Sequence, residues 1–288
     1  MTSTEDLRSW LAEQVRGKVV GPDAAERHAE IHTAGGERWF DEGSPIQRIH
    51  ADSSMFIGGL RALLLQSLHP LAMAGVADHS DYRHDPWGRL QRTAHFLGST
   101  TYGTASQAQD AVDRVRAVHE HVVGVAPDGR PYAANDPHLL RWVHVAEADS
   151  FLAAYRRHGA EPLSDGDADE YVRQMAVIAR ALGVPAPPES ERALRDQLRS
   201  FRGELRGSAA ARDVARYLLW QPPMATAARA PYGVLAASAV ALLPRWARRP
   251  LRLPWLPVAE TVAVRPAGEA LTRGLRWALQ PPPDLAVG

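Results

Sequence analysis

The stretch from Asp136 to His158 constrains this chain most, because its apolar residues do not keep to one side of a helix. Asn135 or Asp136 followed by Pro137 reads as a helix start: a short polar side chain accepts from free first-turn amides, and a first-turn proline has no amide to leave unpaired. Beyond it, Leu139, Leu140, Trp142, Val143, Val145, Ala146, Ala148, Phe151, Leu152 and Tyr155 fall around the whole circumference. A helix that is apolar all round has to be buried, so other elements must surround it. Arg141 and His144 interrupt the pattern three residues apart, on one face. A buried guanidinium without a partner costs several kcal/mol, which predicts an anionic group beside Arg141. A neutral imidazole one turn on is a good iron ligand, and haem would supply both partners: iron for His144 and a propionate for Arg141. Taken alone, His144 is more often a hydrogen-bonded core histidine.

The rest of the chain reads as helix after helix. Segments with apolar residues at helical spacing cover Glu5–Gln14 (Leu7, Trp10 and Leu11 on one face), Ser54 onward, Trp87–Leu97 and Ser106–Val123. Further ones cover Asp165–Leu182, Glu189–Leu205, Ser208–Trp220, Ala225–Leu243 and Glu260–Leu279. Asp52 or Ser53 is placed to cap the apolar helix that Pro70 should bend or divide, and Pro185, Pro187 and Pro188 stop another. Asp128-Gly129 marks a turn. Period-two alternation is almost absent, so the fold class is all-α: about ten helices around a buried pocket. No linker or charge run divides residues 1–288, which predicts a single domain, with 281–288 as a disordered tail.

Composition removes whole classes of chemistry. The chain has no cysteine, which excludes disulfides, zinc–thiolate sites, iron–sulfur clusters, haem-thiolate ligation and c-type haem attachment. Lys18 is the only lysine and sits in a Gly-flanked stretch, so Schiff-base chemistry is set aside. A formal net charge of +0 gives no general attraction for nucleic acid. Met1–Glu13 lacks the pattern of a secretory leader, and neither Met55–Ala77 nor Tyr232–Leu243 reads as a membrane span, so a cytoplasmic location is expected.

Arg89 and Thr93 lie four apart with Arg92 and Phe96 beside them; they could face one ligand as anion clamp and hydrogen-bond donor, or simply be a salt-bridged surface helix. His69 and His79 flank Pro70–Asp78, and either could reach the open side of an iron centre. His28 and His32 are four apart, but Glu30 does not directly follow the first histidine as a zincin requires, so they read as a solvated face. His119 and His121 read as exposed. No pair of Glu-x-x-His motifs supports a di-iron bundle.

A wider pattern becomes recognisable in order and spacing. It comprises His69-Pro70, Ala74-Gly75-Val76-Ala77-Asp78-His79-Ser80, Asp85-Pro86-Trp87-Gly88-Arg89-Leu90-Gln91-Arg92-Thr93, Pro127-Asp128-Gly129-Arg130-Pro131-Tyr132, and Asp136-Pro137 followed by Leu140, Trp142-Val143-His144 and Asp149-Ser150-Phe151. From about Phe40 to Trp255 the chain resembles the latex-clearing rubber oxygenases and mpaB-type oxygenases. The resemblance implies an all-α fold holding haem b, with dioxygen as co-substrate. It implies His144 as proximal iron ligand, Arg141 one turn before it, and Arg89 and Thr93 as the Arg-x-x-x-Thr pair of the haem pocket. Where rubber oxygenases can place a lysine over the iron, this chain has Arg92, a very poor iron ligand because it stays protonated.

The expectation is therefore a haem b-dependent oxygenase of a small hydrophobic, isoprenoid-like molecule, since without an export signal polymeric rubber is an improbable substrate. Cofactor-binding residues are His144, Arg141, Arg89, Arg92 and Thr93; Arg89, Thr93, His79 and His69 are the catalytic candidates. Met55–Ala77 and Tyr232–Leu243 would line the substrate cavity. The electron donor is unspecified. Arg245–Arg252, with Trp246, could rest on an anionic membrane or pack with its arginines outward. The alternatives are a peroxidase-like or other haem-dependent biosynthetic enzyme, and a helical carrier of a hydrophobic ligand without chemistry.

Overall fold

A computed structural model describes residues 4–19, 21 and 23–279. The side chains of Leu7, Trp10 and Leu11 and the tail 281–288 lie outside the described part. The elements run α1 (Thr4–Val19), α2 (Ala24–Thr33), α3 (Pro45–Ala51), α4 (Met55–Gln66), α5 (Pro70–His79), α6 (Pro86–Tyr102) and α7 (Ala105–Glu120). A hairpin of β1 (Val123–Val125) and β2 (Pro131–Ala133) precedes α8 (Pro137–His158), α9 (Asp165–Leu182), α10 (Glu191–Ser200) and a 3-10 turn, Phe201–Gly203. Then come α11 (Ala209–Trp220), α12 (Thr226–Leu242), the short turns α13 (Arg245–Arg248) and α14 (Pro257–Ala259), a π-turn over Glu260–Val264, and α15 (Arg265–Leu279). Among the described residues the fold is all-α apart from that one antiparallel hairpin, which pairs Val123 with Ala133 and Val125 with Pro131.

Helix α8 is the axis of the molecule. Its N-cap is Asp136, which accepts from the His138 amide at 2.8 Å, and Pro137 occupies the first turn. Trp142, Val145, Ala146 and Ala148 are fully buried within a core that also takes Ile46, Ile49, Leu64, Leu65, Leu68, Tyr171, Val172, Leu194 and Ala211 from the helices around it. The Trp142 indole N–H donates to the Gln66 carbonyl at 3.2 Å, so the largest buried side chain leaves no orphan donor.

Against α8 lies α4, and the approach is close because of Gly58. A Cβ there would stand 2.7 Å from Phe151 Cδ1 and 3.1 Å from Phe151 Cα. On its other side α4 meets α12 through Ile57, Leu60, Ala236 and Ala239, so the two apolar segments expected to line a substrate cavity pack on each other. Pro70 divides the apolar run as predicted: α4 and α5 meet at 106°. No single helix among the described residues is long and apolar enough to cross a membrane; the bent α4–α5 pair passes that test by length and composition only.

Local signals explain most helix ends. Ser164, Ser190 and Ser208 cap α9, α10 and α11 through side-chain acceptors, and Thr104 with Gln107 forms a capping box at α7. Gly183 closes α9 in the left-handed region, φ 101°, with the Val184 amide reaching back to Ala179 O at 2.9 Å. The predicted cap of α4 differs: Ser54 is the N-cap residue and makes no side-chain cap bond, while Asp52 accepts from the Ser54 amide at 2.8 Å.

Candidate functional site

The inner face of α8 carries the groups that can do chemistry. His144 is 7% exposed, and its Nε2 is sealed without a hydrogen-bond partner among the described residues. Burial pushes its pKa down to about 4, so the ring is neutral at physiological pH and offers a free lone pair. One turn back, Arg141 is half-buried and donates to the Pro185 carbonyl at 2.5 Å, while its Nε has no partner among the described residues. Within the protein, a carbonyl stands where an anion was expected.

One turn forward from His144 is Glu147, which the sequence reading passed over. Burial raises its carboxyl to about 7, so it holds a proton into the neutral range. Tyr171 of α9 is pushed well above its ordinary value, chiefly by burial and further by the charges of Glu147 and Asp149. His50 of α3 joins them: its Nδ1 is 2.9 Å from Thr101 Oγ1 and its Nε2 3.5 Å from the Tyr171 hydroxyl. Burial drives the His50 pKa down to about 3. The signal for Glu147 was available, as an acid on the face of His144 in an otherwise apolar helix. His50 gave none, because α6 and α9 supply its partners.

Nearby, Arg61 of α4 is 4% exposed and pairs with Asp149 at 2.7 Å while donating to Ser150 Oγ at 2.7 Å and Leu242 O at 3.0 Å. This buried ion pair is saturated and joins α4, α8 and the end of α12.

The α6 residues are placed differently from one another. Arg89 is half-buried, with a pKa lowered by burial and then by Arg92. Arg92 is exposed and pairs with the N-cap carboxylate of Asp85 at 3.0 Å. Thr93 is exposed too, its hydroxyl donating to Arg89 O at 3.1 Å. Helix α6 packs on α1, α2, α3 and α7 rather than along α8.

The remaining histidines separate clearly. His79 is exposed at the end of α5, 3.2 Å from both Val123 O and the Tyr132 hydroxyl of the hairpin. His69 is buried at the N-cap of α5, with its Nε2 3.4 Å from Glu204 Oε2. His138, at the start of α8, reaches the same carboxylate oxygen at 2.8 Å. His28 and His32 are exposed, ring centroids 4.1 Å apart. His119 departs from expectation: it is half-buried, burial lowers its pKa, and it lines a cleft of about 170 Å³ with Arg116, Glu120 and Leu140. Of the C-terminal arginines, Arg245, Arg249 and Arg252 are exposed, as packing with the arginines outward requires, and Arg248 alone departs from it. Arg248 is 1% exposed and pairs with Glu260 at 2.5 Å, so it points inward, and Trp246 lies under the Arg202 guanidinium at 5.0 Å.

The comparison with known families gives the class of this all-α domain. Residues 47–278 match the family described as the catalytic domain of ER-bound oxygenase mpaB/B′ and rubber oxygenase. The chain belongs to this family, and the match continues past the C-terminal limit expected from motifs to take in most of α15. Searches of curated proteins and of solved structures found no match.

Proposed function

We propose that the chain is a haem b-dependent oxygenase acting with dioxygen on a small hydrophobic molecule, and that His144 is its iron ligand. The observation that carries this reading is the orphaned, neutral Nε2 of His144 on the buried axis of an oxygenase-family domain. An unpartnered buried imidazole nitrogen costs free energy unless something meets it, and a metal is the acceptor that most rewards a neutral imidazole. Haem iron, when bound, supplies oxygen activation. The donor chemistry fits in part: one turn away Arg141 keeps an Nε without a partner among the described residues, where a propionate would meet it, whereas Arg89 stands on α6, which does not pack along α8. Glu147 would hold a proton at its carboxyl on the same face. Because His144 Nε2 is enclosed by protein, binding requires the side chains over it to move apart.

A second ligand reading has its own observation. His119 is also held neutral by burial, and it opens onto a cleft beside Leu140 and Arg116. The test is the visible spectrum of protein produced with a haem precursor. A Soret band that is lost or shifted in His144→Ala and kept in His119→Ala supports the assignment; the reverse moves the ligand to His119. No band, even after hemin is added, rejects haem and leaves a carrier of hydrophobic ligands. Where haem binds, turnover under labelled dioxygen compared with peroxide-driven turnover separates oxygenase from peroxidase-like chemistry.

A further inference from the structure

Three potential ligands converge away from His144, where three separate elements end or begin. His69 caps the N-terminus of α5 at the sharp α4–α5 bend, His138 sits in the first turn of α8, and Glu204 follows the 3-10 turn after α10. Their ligand atoms all lie within 4.8 Å of one another. We propose that His69, His138 and Glu204 form a binding site for a divalent first-row transition ion, distinct from the His144 face.

The geometry is near what such an ion needs. Four ligands at roughly 2.0–2.1 Å from a tetrahedral centre stand about 3.3 Å apart. His69 Nε2 and Glu204 Oε2 are 3.4 Å apart as they stand. His138 Nε2 and Glu204 Oε2 are at 2.8 Å, a hydrogen bond that must open by ~0.5 Å to admit the ion. The chemistry is also suitable, since two imidazoles and one carboxylate are a common donor set for zinc, iron(II) and cobalt(II). Burial keeps the His69 ring neutral despite the facing carboxylate. Burial also acts to raise Glu204, but the bonds from His138 and His69 outweigh it and hold the carboxyl below its usual range. Coordination through His69 Nε2 moves the ring proton to Nδ1 and gives up the contact from the Ala72 amide, which at 3.5 Å is a weak one.

The surroundings leave a way in. His138 and Glu204 are about half exposed while His69 is buried, so an ion would enter from the His138 side and keep a water-facing position. Phe201 stacks on His138 with ring centroids 4.7 Å apart and fixes that ring. Arg130, whose charge is felt at both His69 and Glu204, is drawn off by Asp128 at 2.7 Å. The bland alternative is that Glu204 only answers the positive ends of α5 and α8 and bonds two histidines.

Zinc titration of the metal-stripped 288-residue chain at pH 7.5, followed by calorimetry, decides between them. The exposed His28–His32 pair could also take zinc, so His28→Ala is the background for every arm. The expected result is one zinc per chain, with affinity falling about tenfold or more in His138→Ala and in Glu204→Gln. Zinc should also raise the melting temperature of the parent and not of His138→Ala. Absence of binding at millimolar zinc, or equal affinity in His138→Ala and its parent, overturns the proposal. None of these readouts involves the Soret band, so failure here and failure of the haem reading are separate events.

Discussion

Glu147 carries the most perturbed acid on the site face, and its consequence is measurable without any ligand. Its folded pKa, about 7, stands above the ordinary 4.5. Below pH 4.5 the carboxyl is protonated in both folded and unfolded chains. Between there and 7 only the unfolded chain releases the proton, so this residue's contribution to stability is lost as pH rises through 7. Glu147→Gln, a neutral mimic of the protonated acid, should match the parent near pH 4.5 and exceed it at pH 8 by about 3 kcal/mol. The depressed histidines work the other way: stability linked to His144 and His50 is lost as pH falls below 6.5 toward about 4 and about 3. They are present in both proteins and cancel in the comparison. Urea midpoints at the two pH values test this, and a constant difference between them would mean the carboxyl is ionised inside the fold. The burial of His144 was legible from sequence because it is the one imidazole in the middle of an apolar helix. The state of Glu147 was not, since the burial that sets it is supplied by other parts of the chain.

Between elements, the decisive contact is α4 against α8, and two adjacent glycines distinguish packing from propensity there. A Cβ on Gly58 would collide with Phe151, whereas one on Gly59 meets nothing nearer than Phe151 Cε1 at 3.9 Å. Alanine is favoured over glycine in a helix by ~1 kcal/mol, so Gly59→Ala should stabilise by up to that amount. Gly58→Ala forces the helices apart and should lose about 1–3 kcal/mol despite the same propensity gain. Equal unfolding midpoints for the two variants would show that the helices do not approach so closely. Helix order was legible because prolines, glycines and short polar caps mark the ends locally. Extents were less so: α6 runs past Leu97 through Gly98, Ser99, Thr100 and Thr101, residues of modest helix propensity that stay helical where Ser99, Thr100 and Thr101 are buried. The hairpin escaped detection because each strand is three residues long, too short for alternation to register.

Across the whole molecule, buried arginines do what distant local signals cannot. Arg61 and Arg248 are buried and Arg276 is half-buried, and each meets an acid inside the fold. Arg276 is the longest-range of these. It sits on α15, with Nε 2.6 Å from the Oδ2 of Asp52, which ends α3 and also accepts from the amides of Ser54 and Ala160. Burial acts to raise the Asp52 carboxyl, but the bonds from Arg276 and Ser54 outweigh it and hold its pKa below the ordinary value. No local pattern links residues 52 and 276, just as none links His69, His138 and Glu204, so neither cluster was readable from spacing. If the Asp52 contact is what fastens α15 to the body, Arg276→Met leaves a buried carboxylate without its cation and should cost about 3–5 kcal/mol at pH 7. Asp52→Asn removes the charge that needs pairing, so adding Arg276→Met to it should cost markedly less. A double-mutant cycle then gives a coupling of about 1–3 kcal/mol. The coupling should shrink as pH falls below about 4, because stability gained from a depressed carboxyl is present above its unfolded pKa and fades below it. Additive effects of the two substitutions at pH 7 would mean that α15 is held by its apolar face alone, through Ala278 and its neighbours, and that the arginine is incidental.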